Sequence, residues 1–121
     1  MRRYFPDEEG VETKTIRTGK MAAQICHGSM AFLLKKLDSL RFSESELEWL
    51  NTGTTKVVVY VDTEKELLEV YNKAKKAGLI TNLITDSGKT EFKNIPTNTV
   101  VAIGPDFSEK FIGITDHLKL M

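Results

Sequence analysis

Lys20 and Gln24 stand four positions apart where apolar residues begin to recur at helical spacing, so both side chains leave one helix on the same face near its positive end. A cation there costs about a few tenths of a kcal/mol unless an anionic ligand or a carboxylate compensates. The chemistry offered is an ammonium poised for an anion; the plain alternative is a solvated surface lysine. Asp86 follows a strand-like run and precedes Gly88, with Thr90, Thr97 and Thr99 beyond it. A carboxylate and hydroxyls at strand ends are where α/β proteins place their sites, although Asp86-Ser87-Gly88 is also ordinary turn chemistry.

Other reactive residue types carry less. Cys26 and His27 are neighbours on the same helix and diverge by about 100 degrees, which argues against a metal or nucleophile pair. Cys26 reads as a small buried apolar residue and His27 as a packed or capped histidine. His117 is isolated. Lys35, Lys36, Lys75 and Lys76 read as a solvated face, with phosphate tracking as the alternative. The chain has no phosphate-cradling glycine loop, zinc spacing or serine elbow, so no metal and no cofactor are expected.

These residues need a frame to hold them. The chain has 121 residues, 40% hydrophobic and 28% charged, which fits one domain with its own core. Seventeen basic residues balance seventeen acidic ones, which excludes a global positive field, so RNA contact must be local. A single cysteine fits a reducing compartment, and no apolar run reaches the roughly 18 residues of a membrane span. A cytoplasmic protein is expected.

Residues 1–17 show no clear period and read as an irregular segment with a weak strand over Val11 to Arg17. From Thr18, a candidate N-cap, Met21, Ala22, Ile25, Ser29, Phe32, Leu33, Leu37 and Leu40 predict a helix of about six turns. Ser43 and Glu46 predict a capping box for a short second helix. Thr55 to Val61 reads as a central strand covered on both faces. Thr63 and Glu66 form another capping box, and Gly78 stops the third helix. Leu79 to Thr85 follows as a strand, parallel to the previous one through a right-handed crossover. Thr97 to Ile103 is a further strand, Phe107 to Gly113 a short helix, and the tail an edge strand or a cover for one.

The words TGKMAAQICHGSMAF, the Trp49 segment leading into TKVVVYVDTEKELLEVYNKAKKAGLITNLITDSGKT, then TVVAIGP and TDHLKLM resemble, in order, the peptidyl-tRNA hydrolases of archaeal and eukaryotic type over residues 18–121. The resemblance implies a single three-layer α/β domain, a small mixed sheet of about four strands with helices on both faces, and hydrolysis of the ester joining peptide to tRNA. The family's GK-x-AAQ motif falls on Gly19, Lys20, Ala22, Ala23 and Gln24. Its Asp-Ala-Gly-x-Thr segment falls on Asp86, Ser87, Gly88 and Thr90, with serine in place of alanine. The threonine opening the last strand falls on Thr99, but the stretch from Thr90 is about one residue long, which leaves Thr97 and Thr99 interchangeable.

By that resemblance Lys20, Asp86 and Thr90 are the expected catalytic residues, and Gly19, Gln24, Gly88, Thr97 and Thr99 the expected substrate-binding ones. Asp86 would pair with Lys20 and help position water, and Lys20 would stabilise the oxyanion or the departing ribose oxygen. Expected partners are peptidyl-tRNA and no membrane, with a homodimer left open. Family members begin with a strand running into an Asp-Leu-x-Met segment; here Met1 is followed by an insertion from Arg2 to Thr18. The expectation is either an internal start codon or Val11 to Arg17 acting as a substitute strand. Loss of that strand would favour a non-catalytic RNA-binding module, or a protein-interaction adaptor, over an enzyme.

Overall fold

The computed structural model describes residues 1–121. Its two longer strands, Thr81–Asp86 (β3) and Thr97–Ile103 (β4), run antiparallel, with Thr81 opposite Ile103, Leu83 opposite Val101 and Asp86 opposite Thr97. A register shift between Ile84 and Thr85 marks an irregularity just before the strand delivers Asp86. Two shorter strands, Phe5–Pro6 (β1) and Glu12–Lys14 (β2), pair as a separate antiparallel hairpin. The expected small α/β fold with four strands is present.

The run from Thr55 to Val61 does not form the continuous central strand its β-branched residues suggest. Only Val59 and Val61 make strand bridges, antiparallel to Leu120 and parallel to Arg2. Lys56 and Val57 are exposed, because neighbouring chain is bonded only from Val58 onward. Met1–Arg3 occupies the place beside it: Arg2 N donates to Thr99 O and Arg3 N to Val61 O, each at 2.9 Å. Residues 58–61 are therefore separated from β3 by β4 and Met1–Arg3, and are not its neighbours. The C-terminal tail adds the outermost pairing, with Tyr60 N donating to Lys119 O. Val11 to Arg17 makes strand pairing only through β2 of the hairpin and does not substitute for a strand of the larger arrangement.

The long helix, α1, spans Thr18–Lys35. Thr18 is its first helical residue; Arg17 holds the N-cap position and makes no side-chain cap bond. The buried line is Gln24, Gly28 and Phe32, one face at steps of four. Gly28 lets the helix close on the sheet: a Cβ there would lie 3.0 Å from Val100 Cγ1 and 3.5 Å from Ala102 Cβ. The helix stops before Leu37 and Leu40, which are 63% and 70% exposed, since no sheet continues beneath them.

Helix α2 (Glu44–Asn51) begins as expected at Ser43, whose hydroxyl accepts from Glu46 N. The capping box is half made, because the Glu46 carboxylate turns inward and takes a hydrogen bond from Lys36 Nζ at 3.2 Å. Helix α3 (Glu64–Lys76) has the full Thr63–Glu66 box and ends before Gly78, at φ +77°. Leu67 and Ala74 are its buried residues. Consecutive residues of β4 face opposite ways, so Val100 meets α1 while Ile103 packs with Ala74, Leu79 and Ile114 under α3. Cys26 is exposed and so is His27, contrary to the buried and packed roles read from sequence. Both lie off the Gln24–Gly28–Phe32 line. The expected helix after Phe107 is one 3-10 turn, Ser108–Phe111. No helix is long and apolar enough to cross a membrane.

Candidate active site

The first turn of α1 and the last residue of β3 meet at one point. Lys20 Nζ donates to Asp86 Oδ1 at 2.8 Å, and both side chains are 13% exposed. The unfavourable cation at a helix N-terminus is thus balanced by a carboxylate. One turn further in, Gln24 Nε2 donates to the same Oδ1 at 3.1 Å, while Oδ2 accepts from Gly88 N at 2.9 Å. Burial pushes the Asp86 carboxyl up, but the bonds from Lys20, the Gly88 amide and Gln24 outweigh it and hold the group below the usual carboxylate range.

Gln24 is itself fixed from behind. Thr99 Oγ1 donates to Gln24 Oε1 at 2.6 Å, and the two residues are 0% and 1% exposed. The structure separates the two threonines that the sequence left interchangeable: Thr99 joins the Gln24–Asp86 chain, whereas Thr97 Oγ1 donates to the carbonyl of Ile95 at 2.7 Å. Thr90 lies exposed on the turn after Gly88 and is not part of the hydrogen-bonded set. Gly19 is exposed, with open space where a Cβ would stand.

Gly88 is required by its backbone. It sits at φ +81°, and a Cβ there would come within 2.1 Å of Ile95 O, so the loop from Ser87 to Pro96 folds tightly over it. The same loop brings the Phe92 ring to 5.8 Å from Lys20 Nζ. It also places Glu91 against Arg17, with Arg17 Nε to Glu91 Oε1 at 2.5 Å. That bond holds the Glu91 carboxyl below its ordinary range. Sequence reading singled out neither Phe92 nor the Arg17–Glu91 pair; an aromatic residue inside a largely polar loop was the available signal. No group of three histidine, cysteine or acidic side chains is placed to hold a metal ion.

The Lys20–Asp86 pair is largely shielded, each side chain keeping 13% of its surface in contact with solvent. An apolar cavity of about 40 Å³ lies elsewhere, lined by Val61, Leu67, Val70 and Val101 among others.

Residues 13–121 match the family model described as Peptidyl-tRNA hydrolase PTH2. The chain belongs to this family. Among its relatives, a peptidyl-tRNA hydrolase of Methanocaldococcus jannaschii is 46% identical over 104 residues, covering 85% of this chain and 87% of the relative. One from Sulfolobus acidocaldarius is 39% identical over 106 residues, covering 85% and 88%. A probable peptidyl-tRNA hydrolase 2 of Dictyostelium discoideum is 38% identical over 105 residues, covering 84% of this chain and 47% of that longer protein. The PTH2 match takes in the whole Lys20–Gln24–Asp86–Thr99 chain and leaves residues 1–12 outside it.

Proposed function

We propose that the protein cleaves the ester between peptide and tRNA in peptidyl-tRNA, with Lys20 and Asp86 as its catalytic residues. The observation carrying this reading is the 2.8 Å Lys20–Asp86 bond between two side chains that are each 13% exposed. Ester hydrolysis needs a group that orients water and a donor that meets the developing oxyanion. Asp86 remains ionised at neutral pH because three donors hold it, and its remaining lone pairs can accept from a water. Lys20 uses one of its three N–H donors on Asp86. The others are free for the oxyanion or the departing ribose oxygen.

In this reading Gln24 and Thr99 keep the carboxylate in place, Gly88 and its amide set its second oxygen, and Thr90 on the exposed turn offers a hydroxyl to bound substrate. Gly19 leaves the helix mouth open to the acceptor end, and Thr97 holds the far end of the loop. The intact charged set argues against a binding module that has lost its chemistry. The proposed setting is the cytoplasm, where translation leaves such esters. A homodimer is also proposed, tested by sedimentation of the purified chain.

The test is cleavage of N-acetyl-aminoacyl-tRNA by Lys20→Ala and Asp86→Ala. An oxyanion donor is worth about 3 to 4 kcal/mol in the transition state, so kcat should fall by two or more decades. Circular dichroism should be unchanged. Near-normal turnover by either variant removes the assignment. Substrate binding should also weaken steeply with salt, as phosphate contacts release counterions, despite the balanced overall charge.

A further inference from the structure

We infer that the β1–β2 hairpin is a positioning device for this active site, and that Phe5 is the positioning residue through which it acts on Lys20. The inference rests on the proposed role of Lys20.

Phe5 is 0% exposed, although it opens a strand of only two residues in a small hairpin. Its ring stacks at a tilt on Phe92, with centroids 4.9 Å apart. Phe92 in turn flanks Lys20 Nζ at 5.8 Å. The three side chains form a row from the hairpin, through the loop after β3, to the catalytic ammonium. Phe92 is tied by its backbone to the turn that orients Asp86, since Phe92 N and Asn94 N both donate to Gly88 O, at 3.3 and 2.9 Å. Displacement of the Phe92 ring therefore takes the aromatic wall from Lys20, and any shift it passes to the Phe92 backbone reaches the turn whose Gly88 N–H meets Asp86.

The hairpin is also anchored on two sides. Glu12 Oε2 accepts from Glu64 N, the first residue of α3, at 3.0 Å, and pairs with the buried Arg2 at 3.4 Å. On the site side Glu8 meets Lys93 at 2.5 Å, and Arg17, just past the hairpin, meets Glu91. The two ion pairs straddle Phe92. Phe5 and Glu8 lie in the stretch the family match leaves out, so the common pattern does not account for this support.

The experiment measures kcat, KM and the pH dependence of kcat for Phe5→Ala, Phe5→Leu and Lys20→Ala on N-acetyl-aminoacyl-tRNA, with Val11→Ala at the exposed hairpin tip as control. A misplacement near 1 Å can cost up to about a hundredfold in rate. Phe5→Ala should lower kcat about tenfold with KM within about twofold, since orientation and not binding is lost. Its acid limb should move to higher pH as Lys20 loosens from Asp86. The charged groups facing Asp86 are Lys20 from α1, with Glu91 and its partner Arg17 beside Lys20; the last two are left intact. Phe5→Leu, which refills the space, should recover most of kcat, and Val11→Ala should match wild type.

A folded Phe5→Ala with wild-type kcat and an unmoved acid limb overturns the inference, even if its Tm falls. Should Phe5→Ala not fold, Phe92→Leu takes its place with the same expected losses and the same overturning result. Full turnover by Lys20→Ala brings down the catalytic reading itself. An inactive Lys20→Ala beside an unperturbed Phe5→Ala brings down only the positioning role.

Discussion

Thr99 Oγ1 donates to Gln24 Oε1 at 2.6 Å, in a part of the core that neither residue shares with solvent. The bond fixes which way the Gln24 amide faces: with its oxygen occupied, its nitrogen must point at Asp86. Thr99→Val leaves a buried amide oxygen unpaired, at a cost of about 1 to 3 kcal/mol. Thermal unfolding should show that loss, and kcat should drop because Gln24 can turn its amide away from the carboxylate. Thr99→Ser restores the donor and should restore both. Thr97→Val, outside the chain of bonds, should leave kcat within about twofold.

The pH dependence follows from the donors around Asp86. A carboxyl held below its ordinary value contributes stability that is fully present above the unfolded pKa of about 3.9 and is lost as pH falls through the folded value. Lys20, the Gly88 amide and Gln24 place Asp86 in this class. Ester cleavage should therefore show no acid limb until below about pH 4, and Asp86→Asn should abolish the remaining activity at every pH. The Tm difference between wild type and Asp86→Asn should shrink on acidification through that range.

Gly88→Ala tests the loop. The native φ of +81° and the 2.1 Å approach of a Cβ to Ile95 O leave no room for a methyl group without moving backbone. Strain of this kind costs about 1 to 3 kcal/mol before the overlap is counted. Tm should fall, and kcat should fall further than stability explains, since the Gly88 amide is the donor to Asp86 Oδ2.

Gly28 tests the seating of α1. Alanine there gains about 0.8 to 1 kcal/mol of helix propensity, set against a 3.0 Å contact with Val100 Cγ1, so Gly28→Ala should be near neutral. Gly28→Val adds further carbons against the sheet and should cost about 1 to 3 kcal/mol through overpacking. Because Gln24 is one turn away, its kcat should suffer too.

The inward-turned Glu46 predicts a contrast between ion pairs. Its side chain is 3% exposed beside Lys36 at 28%, so Lys36→Met strands a buried carboxylate and should cost about 3 kcal/mol by urea titration. Adding Glu46→Gln should recover part of it. Lys110→Ala removes a more exposed pair with Asp106 and should cost under about 1 kcal/mol.

What the sequence disclosed, and what it hid, divides along physical lines. Local codes were legible: the Thr63–Glu66 box, the Ser43 cap, the stop at Gly78 and the bounds of Thr97–Ile103 each depend on residues within a few positions of one another. Lys20 stood out as a cation at a positive helix end, whereas Asp86 read equally as ordinary turn chemistry; the resemblance named both as catalytic, and the fold pairs them. Thr90 and Gly19, named by resemblance, remain outside that bonded set. The Thr55–Val61 run misled because strand propensity says nothing of which neighbours are available for pairing. Leu37 and Leu40 misled for the same reason, extending a helical stripe past the sheet that could bury it. The buried line of α1 was hard to see because two of its three members, Gln24 and Gly28, are not apolar. The order within residues 1–17 left no periodic trace, since it rests on Phe5, Arg2 and Glu12 reaching distant partners.

Sixty-six positions separate Lys20 from Asp86, and seventy-five separate Gln24 from Thr99. Contacts across such spans close only after intervening chain has been ordered, against a large loop entropy. In the proposed mechanism the hydrolytic atoms therefore come together late, and an unfinished or partly unfolded molecule cannot attack the ester.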